Sequence, residues 1–117
     1  MLRLCFNRLI AFDIDDTLIL QEKPKNQKKS DGVVIDGTRY WKHTKHIEKL
    51  KDKFNRGYGI IAWSQAGDDW ADKVIRELKL ETFVHLSMTK PEECVDDLPV
   101  SEWMKRSYIE EFKGVEE

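Results

Sequence analysis

The sequence predicts a three-layer α/β fold, in which helices cover both faces of a parallel sheet of about four to five strands. Short apolar runs, such as residues 9–14 and 58–64, are typical of strands that are buried on both faces. Between these runs, apolar side chains recur every three or four positions, as in amphipathic helices. Strands and helices that alternate in this way form right-handed crossovers within one sheet.

The chain of 117 residues is expected to form one domain, residues 1–117, because it can bury one core and is too short for two. Its 20 Lys and Arg residues nearly balance its 22 Asp and Glu residues, so net charge indicates neither nucleic-acid nor membrane binding. No apolar window reaches the length of a membrane span, and no membrane partner is expected. Cys5 and Cys94 form no CxxC pair, which favours a reducing, cytoplasmic location.

After the first predicted strand comes a polar segment, residues 21–30, which is rich in lysine and contains a proline. This composition predicts an exposed loop. The apolar residues 18–20 and 33–35 on either side of the loop are expected to pair as a hairpin. Thr38 is then expected to cap an amphipathic helix that ends at Gly57.

The second half of the chain repeats the alternation of strands and helices. Asp68 or Asp69 is expected to cap a second helix, and residues 82–87 and 93–97 are predicted as a third and a fourth strand. A final helix is expected to begin at Ser101. Its apolar side chains would be Trp103, Tyr108, Ile109 and Phe112.

Polar side chains follow the predicted strands at their carboxyl ends, the edge of a parallel sheet where ligands bind. They are Asp13, Asp15, Asp16, Ser64, Lys90, Asp96 and Asp97. Adjacent carboxylates repel one another, so we expect a cation among them. Mg²⁺, which prefers hard oxygen ligands, would bind Asp13 with one or both of Asp96 and Asp97. A carboxylate beside that ion can attack phosphorus, while a hydroxyl and an ammonium group hold phosphate oxygens. The set therefore suits phosphoryl transfer.

The motifs "FDIDDTL", "IIAWS", "TKP" and "CVDDLP" occur in the order of the four motifs of the haloacid dehalogenase (HAD) superfamily, and the chain resembles that superfamily over almost its whole length. The resemblance implies a Rossmann-like fold and a magnesium-dependent phosphatase that forms an aspartyl-phosphate intermediate. It implies that Asp13 is the nucleophile and Asp15 the general acid/base, whose backbone carbonyl also faces the magnesium. The further ligands implied are Ser64 and Lys90 for the substrate phosphate, and Asp13, Asp15, Asp96 and Asp97 for the metal.

The resemblance also implies that about residues 18–36 form a β-hairpin flap over the site. Larger members of the superfamily insert a cap domain at one of two places, and the intervals between the motifs leave no room for one here. An uncapped site would admit a macromolecular phosphorylated substrate, such as a phosphoprotein or a nucleic-acid end. Alternatively, it would be covered by a neighbouring subunit of a homo-oligomer.

Several candidate residues also have a purely structural interpretation. Asp16 and Thr17 are expected to stabilise the turn after the first strand rather than to react. Lys73 is an alternative to Lys90 as the phosphate-binding lysine, but Lys90 is favoured because it lies in a turn just before the fourth predicted strand.

The remaining polar and aromatic candidates are expected to be structural. His43 and His46 are expected to be one packed and one solvated histidine rather than zinc ligands, because further ligands at matching spacing are missing. The lysines of the polar loop can meet a nucleic-acid backbone, but such loops are usually only solvated. The tryptophans are expected mostly in the core; they are Trp41, Trp63, Trp70 and Trp103.

Two other functions fit parts of the pattern. A phosphorylated receiver domain has a similar length and similar residue types, but its lone aspartate lies on the third strand, whereas the Asp pair comes last here. A binding or regulatory protein that keeps the HAD fold without turnover is the other alternative. The presence of all the expected catalytic side chains favours the enzyme.

Overall fold

The computed structural model describes residues 6–25 and 27–110 and contains a parallel sheet, a small antiparallel sheet and two α-helices. In chain order the strands are β1 (Leu9–Asp13), β2 (Ile19–Leu20), β3 (Gly32–Ile35), β4 (Thr38–Lys42), β5 (Gly59–Ser64) and β6 (Leu86–Thr89). The helices are α1 (Thr44–Asn55) and α2 (Asp68–Glu77), and short 3-10 helices span Lys29–Asp31 and Val100–Glu102. The mixed α/β class predicted from the sequence is confirmed.

The parallel sheet has the strand order β1-β5-β6. Asp13 lies opposite Trp63, and Ser64 lies opposite Thr89, so the three strands end at the same edge of the sheet. The first two strands lie where the apolar runs predict them. The third begins later than predicted, since residues 81–83 form a turn and β6 covers only Leu86–Thr89.

The parallel sheet has one closed face and one partly open face. Ile60 and Ala62 are fully buried, whereas the alternate residues Ile61 and Trp63 are half-buried and Leu9 is 51% exposed. The strand order follows the chain order, so right-handed crossovers bring α1 and α2 to the same face. In the described part of the chain the helices therefore cover one face, and not both as expected.

The small antiparallel sheet lies in the chain between β1 and α1, with the strand order β2-β4-β3. Its tight hairpin joins β3 to β4 through Asp36 and Gly37, whose φ angles are 52° and 78°. Two left-handed residues in a two-residue loop match the twist of the strands, and Asp-Gly is a favoured pair there. The prediction that residues 18–20 pair with residues 33–35 is wrong, because β4 lies between them.

Helix α1 begins later than the sequence predicts. Thr38 starts β4 instead of capping the helix, and His43 is the N-cap, with its Nδ1 accepting the His46 N–H at 3.2 Å. The predicted end is confirmed, since Gly57 follows the helix with a φ of 90°, a conformation that favours glycine. The apolar face of α1 places Leu50 in the core.

Helix α2 starts at Asp68, so Asp68 and Asp69 lie in its first turn, and Gly67 is the N-cap. Carboxylates in a first turn complement the positive end of the helix dipole. Its buried face packs on the parallel sheet as part of the core, which consists of Phe12, Ile14, Leu18, Ile19, Ile35, Leu50, Ile60, Ala62, Ala71, Val74, Ile75, Leu78 and Leu80.

The segment after β6 differs most from the prediction. Residues 93–97 are exposed and irregular, so the predicted fourth strand is not formed and the parallel sheet has three strands in the described residues. The predicted final helix is limited to the 3-10 turn Val100–Glu102, and Phe112 lies outside the described residues. No helix in the described ranges is long and apolar enough to span a bilayer.

Candidate active site

The shared edge of the parallel sheet brings together three of the predicted site residues. Asp13 is the last residue of β1, Ser64 the last of β5, and Lys90 directly follows β6. Lys90 Nζ lies 4.0 Å from Asp13 Oδ1, and the Lys90 backbone N–H donates to the Ser64 carbonyl at 2.9 Å. A carboxylate, a hydroxyl and an ammonium group from three separate strands therefore lie at one edge.

The Asp13 carboxylate lies in a partly desolvated position, with its side chain 34% exposed. Burial raises its pKa, which the positive charge of Lys90 and a hydrogen bond from the backbone at Ile14 oppose. The negative charges of Asp15 and Asp16 raise the pKa of Asp13 further. The local field at Asp13 is therefore one that a cation would relieve.

Ser64 anchors the loop that follows β5. Its side chain is buried, and its Oγ accepts the Ala66 N–H at 2.9 Å. Its carbonyl accepts the N–H groups of Gly67 and Lys90 at 3.1 and 2.9 Å. The Ser64 hydroxyl is a donor as well as an acceptor, so its hydrogen can be directed to an anion at this edge.

The residues after Asp13 form a tight turn. The Ile14 carbonyl accepts the N–H groups of Thr17 and Leu18 at 3.2 and 3.0 Å, and Asp16 has a φ of 63°. Asp16 thus occupies a left-handed position, which Asp tolerates better than most residues, and this supports its structural role. The turn exposes Asp15, whose Oδ1 accepts the indole N–H of Trp70 at 3.3 Å.

Trp70, which sequence reasoning assigned to the core, contacts a residue of the predicted site. Its side chain is half-buried, and its indole contacts Asp15 rather than lying wholly inside the protein. The available signal was its position in the first turn of the helix after Ser64, since helix starts that follow sheet strands lie beside the ligand edge.

The two candidate lysines have different partners. Lys73 Nζ lies 2.9 Å from Asp36 Oδ2 and 3.1 Å from Asp36 Oδ1, so it pairs with the β3–β4 turn. Lys90 lies beside Asp13. Geometry thus favours Lys90 as the cation of this edge.

The predicted metal ligands Asp96 and Asp97 lie outside this cluster. Both are exposed, and Asp96 Oδ1 accepts the Leu98 N–H at 2.9 Å, as in a local turn. Within residues 6–25 and 27–110, no three His, Cys, Asp or Glu side chains form a metal-binding group. Asp13 and Asp15 provide hard oxygen donors of the kind that Mg²⁺ prefers, and within the described residues no further carboxylate completes a metal-binding group with them.

His43 and His46 are both buried, so the prediction of one solvated histidine is wrong. Their rings stack with centroids 3.7 Å apart. His46 Nδ1 lies 2.7 Å from the Thr17 carbonyl and His46 Nε2 accepts the Ile109 N–H at 2.9 Å, while His43 Nε2 lies 3.0 Å from the Ile109 carbonyl. The pair joins residue 109 to the turn after β1 and has the neutral tautomers that these bonds require.

The α/β fold and the sheet edge with Asp13, Ser64 and Lys90, which come from the first three of the four motifs, fit a protein of the HAD superfamily. More specifically, the model of the NLI interacting factor-like phosphatases (NIF) matches residues 8–112, so the chain belongs to this family of small phosphatases. The family consists of hydrolases that act on phosphate esters. No match was found among curated proteins or among solved structures.

Proposed function

We propose that the chain is a magnesium-dependent phosphomonoesterase that works through an aspartyl-phosphate. The observation that carries this proposal is the convergence of Asp13, Ser64 and Lys90 at one edge of the parallel sheet. The family supports phosphatase activity, and the order of the motifs supports these roles.

In the first step, an Asp13 carboxylate oxygen attacks the phosphorus atom of the ester. The bond between phosphorus and the ester oxygen breaks, and its electron pair goes to that oxygen, which takes a proton from Asp15. The alcohol leaves, and an aspartyl-phosphate remains on Asp13. Lys90 and the Ser64 hydroxyl hold the non-bridging phosphate oxygens and compensate their charge.

In the second step, water attacks phosphorus and gives its proton to the Asp15 carboxylate. The bond between phosphorus and the Asp13 oxygen breaks, inorganic phosphate leaves, and both aspartates return to their starting states. The exposed position of Asp15 lets water approach it.

Asp13 and the backbone carbonyl of Asp15, with one or both of Asp96 and Asp97, would hold Mg²⁺. When bound, the ion would neutralise the charge that accumulates on the phosphate and relieve the repulsion among the aspartates. Residues 92–100 are exposed throughout, so little packing within the described part of the chain fixes the segment that carries Asp96 and Asp97.

We expect EDTA to stop phosphate release and added Mg²⁺ to restore it, because an unneutralised Asp13 would repel the phosphate dianion. The measurement is phosphate release from an aryl phosphate, nucleotides, sugar phosphates, a phosphopeptide, and 3′- and 5′-phosphorylated oligonucleotides. Hydrolysis that resists the chelator would contradict the metal assignment. A folded protein that binds Mg²⁺ and hydrolyses none of these substrates would indicate the alternative, a binding or regulatory HAD-fold protein.

The same panel distinguishes the classes of substrate. In the proposal, residues 1–117 form one domain without a cap, with the segment at about residues 18–36 as a flap, and an uncapped site admits macromolecular phosphates. Preference for the phosphopeptide or an oligonucleotide end would support an open site. Preference for a small phosphate would support cover by a second subunit.

Lys90→Met is expected to raise KM for a phosphomonoester about 10-fold, because it removes the cation next to Asp13. Lys73→Met is the matched control, since Lys73 pairs with Asp36 and is expected to leave KM unchanged. The two variants should be compared in steady-state assays at saturating Mg²⁺. A large effect of Lys73→Met with none of Lys90→Met would reverse the lysine assignment.

A further inference from the structure

We propose that Trp70 is a positioning residue, which holds the carboxyl group of Asp15 and determines which of its oxygens carries the proton. The proposal rests on the proposed function, in which Asp15 protonates the leaving group. Its basis is one contact: the indole Nε1 of Trp70 lies 3.3 Å from Oδ1 of Asp15. The two residues are 55 positions apart in the sequence, and Trp70 belongs to none of the four motifs.

The indole of Trp70 is held from two sides. Its helix starts at a fixed point, because the Gly67 N–H donates to the Ser64 carbonyl at 3.1 Å and the Asp68 N–H donates to Thr89 Oγ1 at 3.1 Å. The ring itself packs edge-on against Tyr40 of β4, with centroids 6.1 Å apart. Trp70 is thus tied to the phosphate-binding edge through its backbone and to the small sheet through its ring.

The chemistry of the contact is asymmetric. An indole N–H can only donate a hydrogen bond, so Asp15 Oδ1 must act as the acceptor. In a protonated carboxyl group the carbonyl oxygen is the better acceptor, so the proton favours the other oxygen, Oδ2. The N–H of Trp70 therefore restrains one oxygen of the carboxyl group and leaves the acidic proton on the other oxygen.

This asymmetry serves both steps of the reaction. In the first step Oδ2 of Asp15 gives its proton to the ester oxygen as the bond to phosphorus breaks. In the second step the same oxygen accepts a proton from the attacking water. Without Trp70, the exposed side chain of Asp15 would sample several rotamers, and fewer of them would present a proton to the ester.

A purely structural role for Trp70 makes a different prediction. If the ring only packs against Tyr40, its loss would affect all substrates equally. If it orients the acid, its loss would affect substrates in proportion to their need for protonation. A nitrophenolate ion leaves readily without a proton, whereas an alkoxide does not.

The experiment compares Trp70→Phe with the native protein on 4-nitrophenyl phosphate and 4-nitrobenzyl phosphate, at saturating Mg²⁺. Phenylalanine keeps a ring next to Tyr40 and removes the N–H. We expect kcat/KM, which reports the steps up to release of the alcohol, to fall about 10-fold for the benzyl ester and less than about twofold for the phenyl ester. Trp103→Phe, at an exposed position, is the matched control and is expected to change neither value.

A second measurement tests the contact without turnover. In ¹⁵N-labelled protein, the Trp70 indole N–H resonance is expected to shift in Asp15→Ala and to stay in place in Asp16→Asn, since asparagine also tolerates the left-handed position of residue 16. The proposal would be overturned if the indole resonance did not shift in Asp15→Ala. It would also be overturned if Trp70→Phe lowered kcat/KM equally for both esters. If the indole responds to Asp15 while native protein hydrolyses neither ester, the contact exists but the proposed function fails, and the positioning role fails with it.

Discussion

Asp13→Asn is expected to lower kcat at least about a thousand-fold, because it removes the nucleophile that carries the phosphoryl group. Asparagine keeps the size of the side chain and its place at the end of β1, so the fold is retained. The measurement is phosphate release at saturating Mg²⁺, together with acid-quenched labelling of the native protein. The native protein should carry a label that hydroxylamine removes, as expected for an acyl phosphate, and the variant should carry none.

Although the substitution is expected to lower kcat, it is not expected to lower the stability of the protein. Because burial and the neighbouring aspartates raise the pKa of Asp13, the folded protein holds the ionised carboxylate at a cost in free energy. This cost is absent below the ordinary pKa of 3.8 and grows as pH rises through the raised pKa. At neutral pH the uncharged Asn is therefore expected to give a Tm that is no lower than that of the native protein.

Two outcomes would contradict this account. Full activity of Asp13→Asn would exclude the covalent mechanism. A lower Tm would show that the ionised Asp13 carboxylate stabilises the folded protein instead of costing it free energy. Asp52→Asn on α1 is a suitable control, since Asp52 is exposed and pairs only locally with Arg56.

The first half of the site could be predicted because it depends on local pattern. An apolar run that ends in Asp13 predicts a buried strand with a carboxylate at its end, and Ser64 ends the next run in the same way. Parallel strands then bring these ends together without any further information. The place of Lys90 follows from the same rule, one residue after β6.

The errors in the small sheet arose from competing local signals. Residues 38–42 were assigned to a helix because apolar spacing continues from them into α1. The pair Asp36-Gly37 was the opposing signal, since it predicts a tight hairpin just before them. If that pair is taken as the stronger signal, it predicts an antiparallel hairpin of β3 and β4, which the structure contains.

The error at residues 93–97 has a different cause. Val95 in that segment is fully exposed, so the apolar residue that suggested a strand is buried by nothing in the described part of the chain. Short apolar runs predict burial only where a partner element exists, and sequence pattern does not reveal that partner. The metal roles of Asp96 and Asp97 therefore stay predictions.

Replacement of His46 is expected to cause a large loss of stability. His46 is buried, and both of its ring nitrogens are hydrogen bonded, to the Thr17 carbonyl and the Ile109 N–H. The bond to Ile109 joins residues 63 positions apart, so spacing within α1 did not predict it. His46→Ala removes the ring and both bonds, and we expect a loss of about 2–4 kcal/mol in the free energy of unfolding.

The neutral state of His46 adds a dependence on pH. Burial lowers its pKa below the ordinary 6.5, and the hydrogen bond to the Thr17 carbonyl opposes this; the charge of Lys49 lowers the pKa further, as would a proton on the stacked His43. Below pH 6.5 the unfolded chain therefore binds a proton at His46 that the folded protein does not. The stabilisation is complete above pH 6.5 and is lost as pH falls from there to the lowered pKa.

Urea unfolding of native protein, His46→Ala and Leu50→Ala between about pH 5 and pH 8 separates these effects. Leu50→Ala is the matched control, because Leu50 is equally buried in α1 and its truncation costs about 2–5 kcal/mol without removing a titratable group. We expect the native protein and Leu50→Ala to lose stability in parallel as pH falls below 6.5. His46→Ala should lose less over that interval, because the group whose protonation favours unfolding is gone; an unchanged slope would mean that His46 is not the group that titrates.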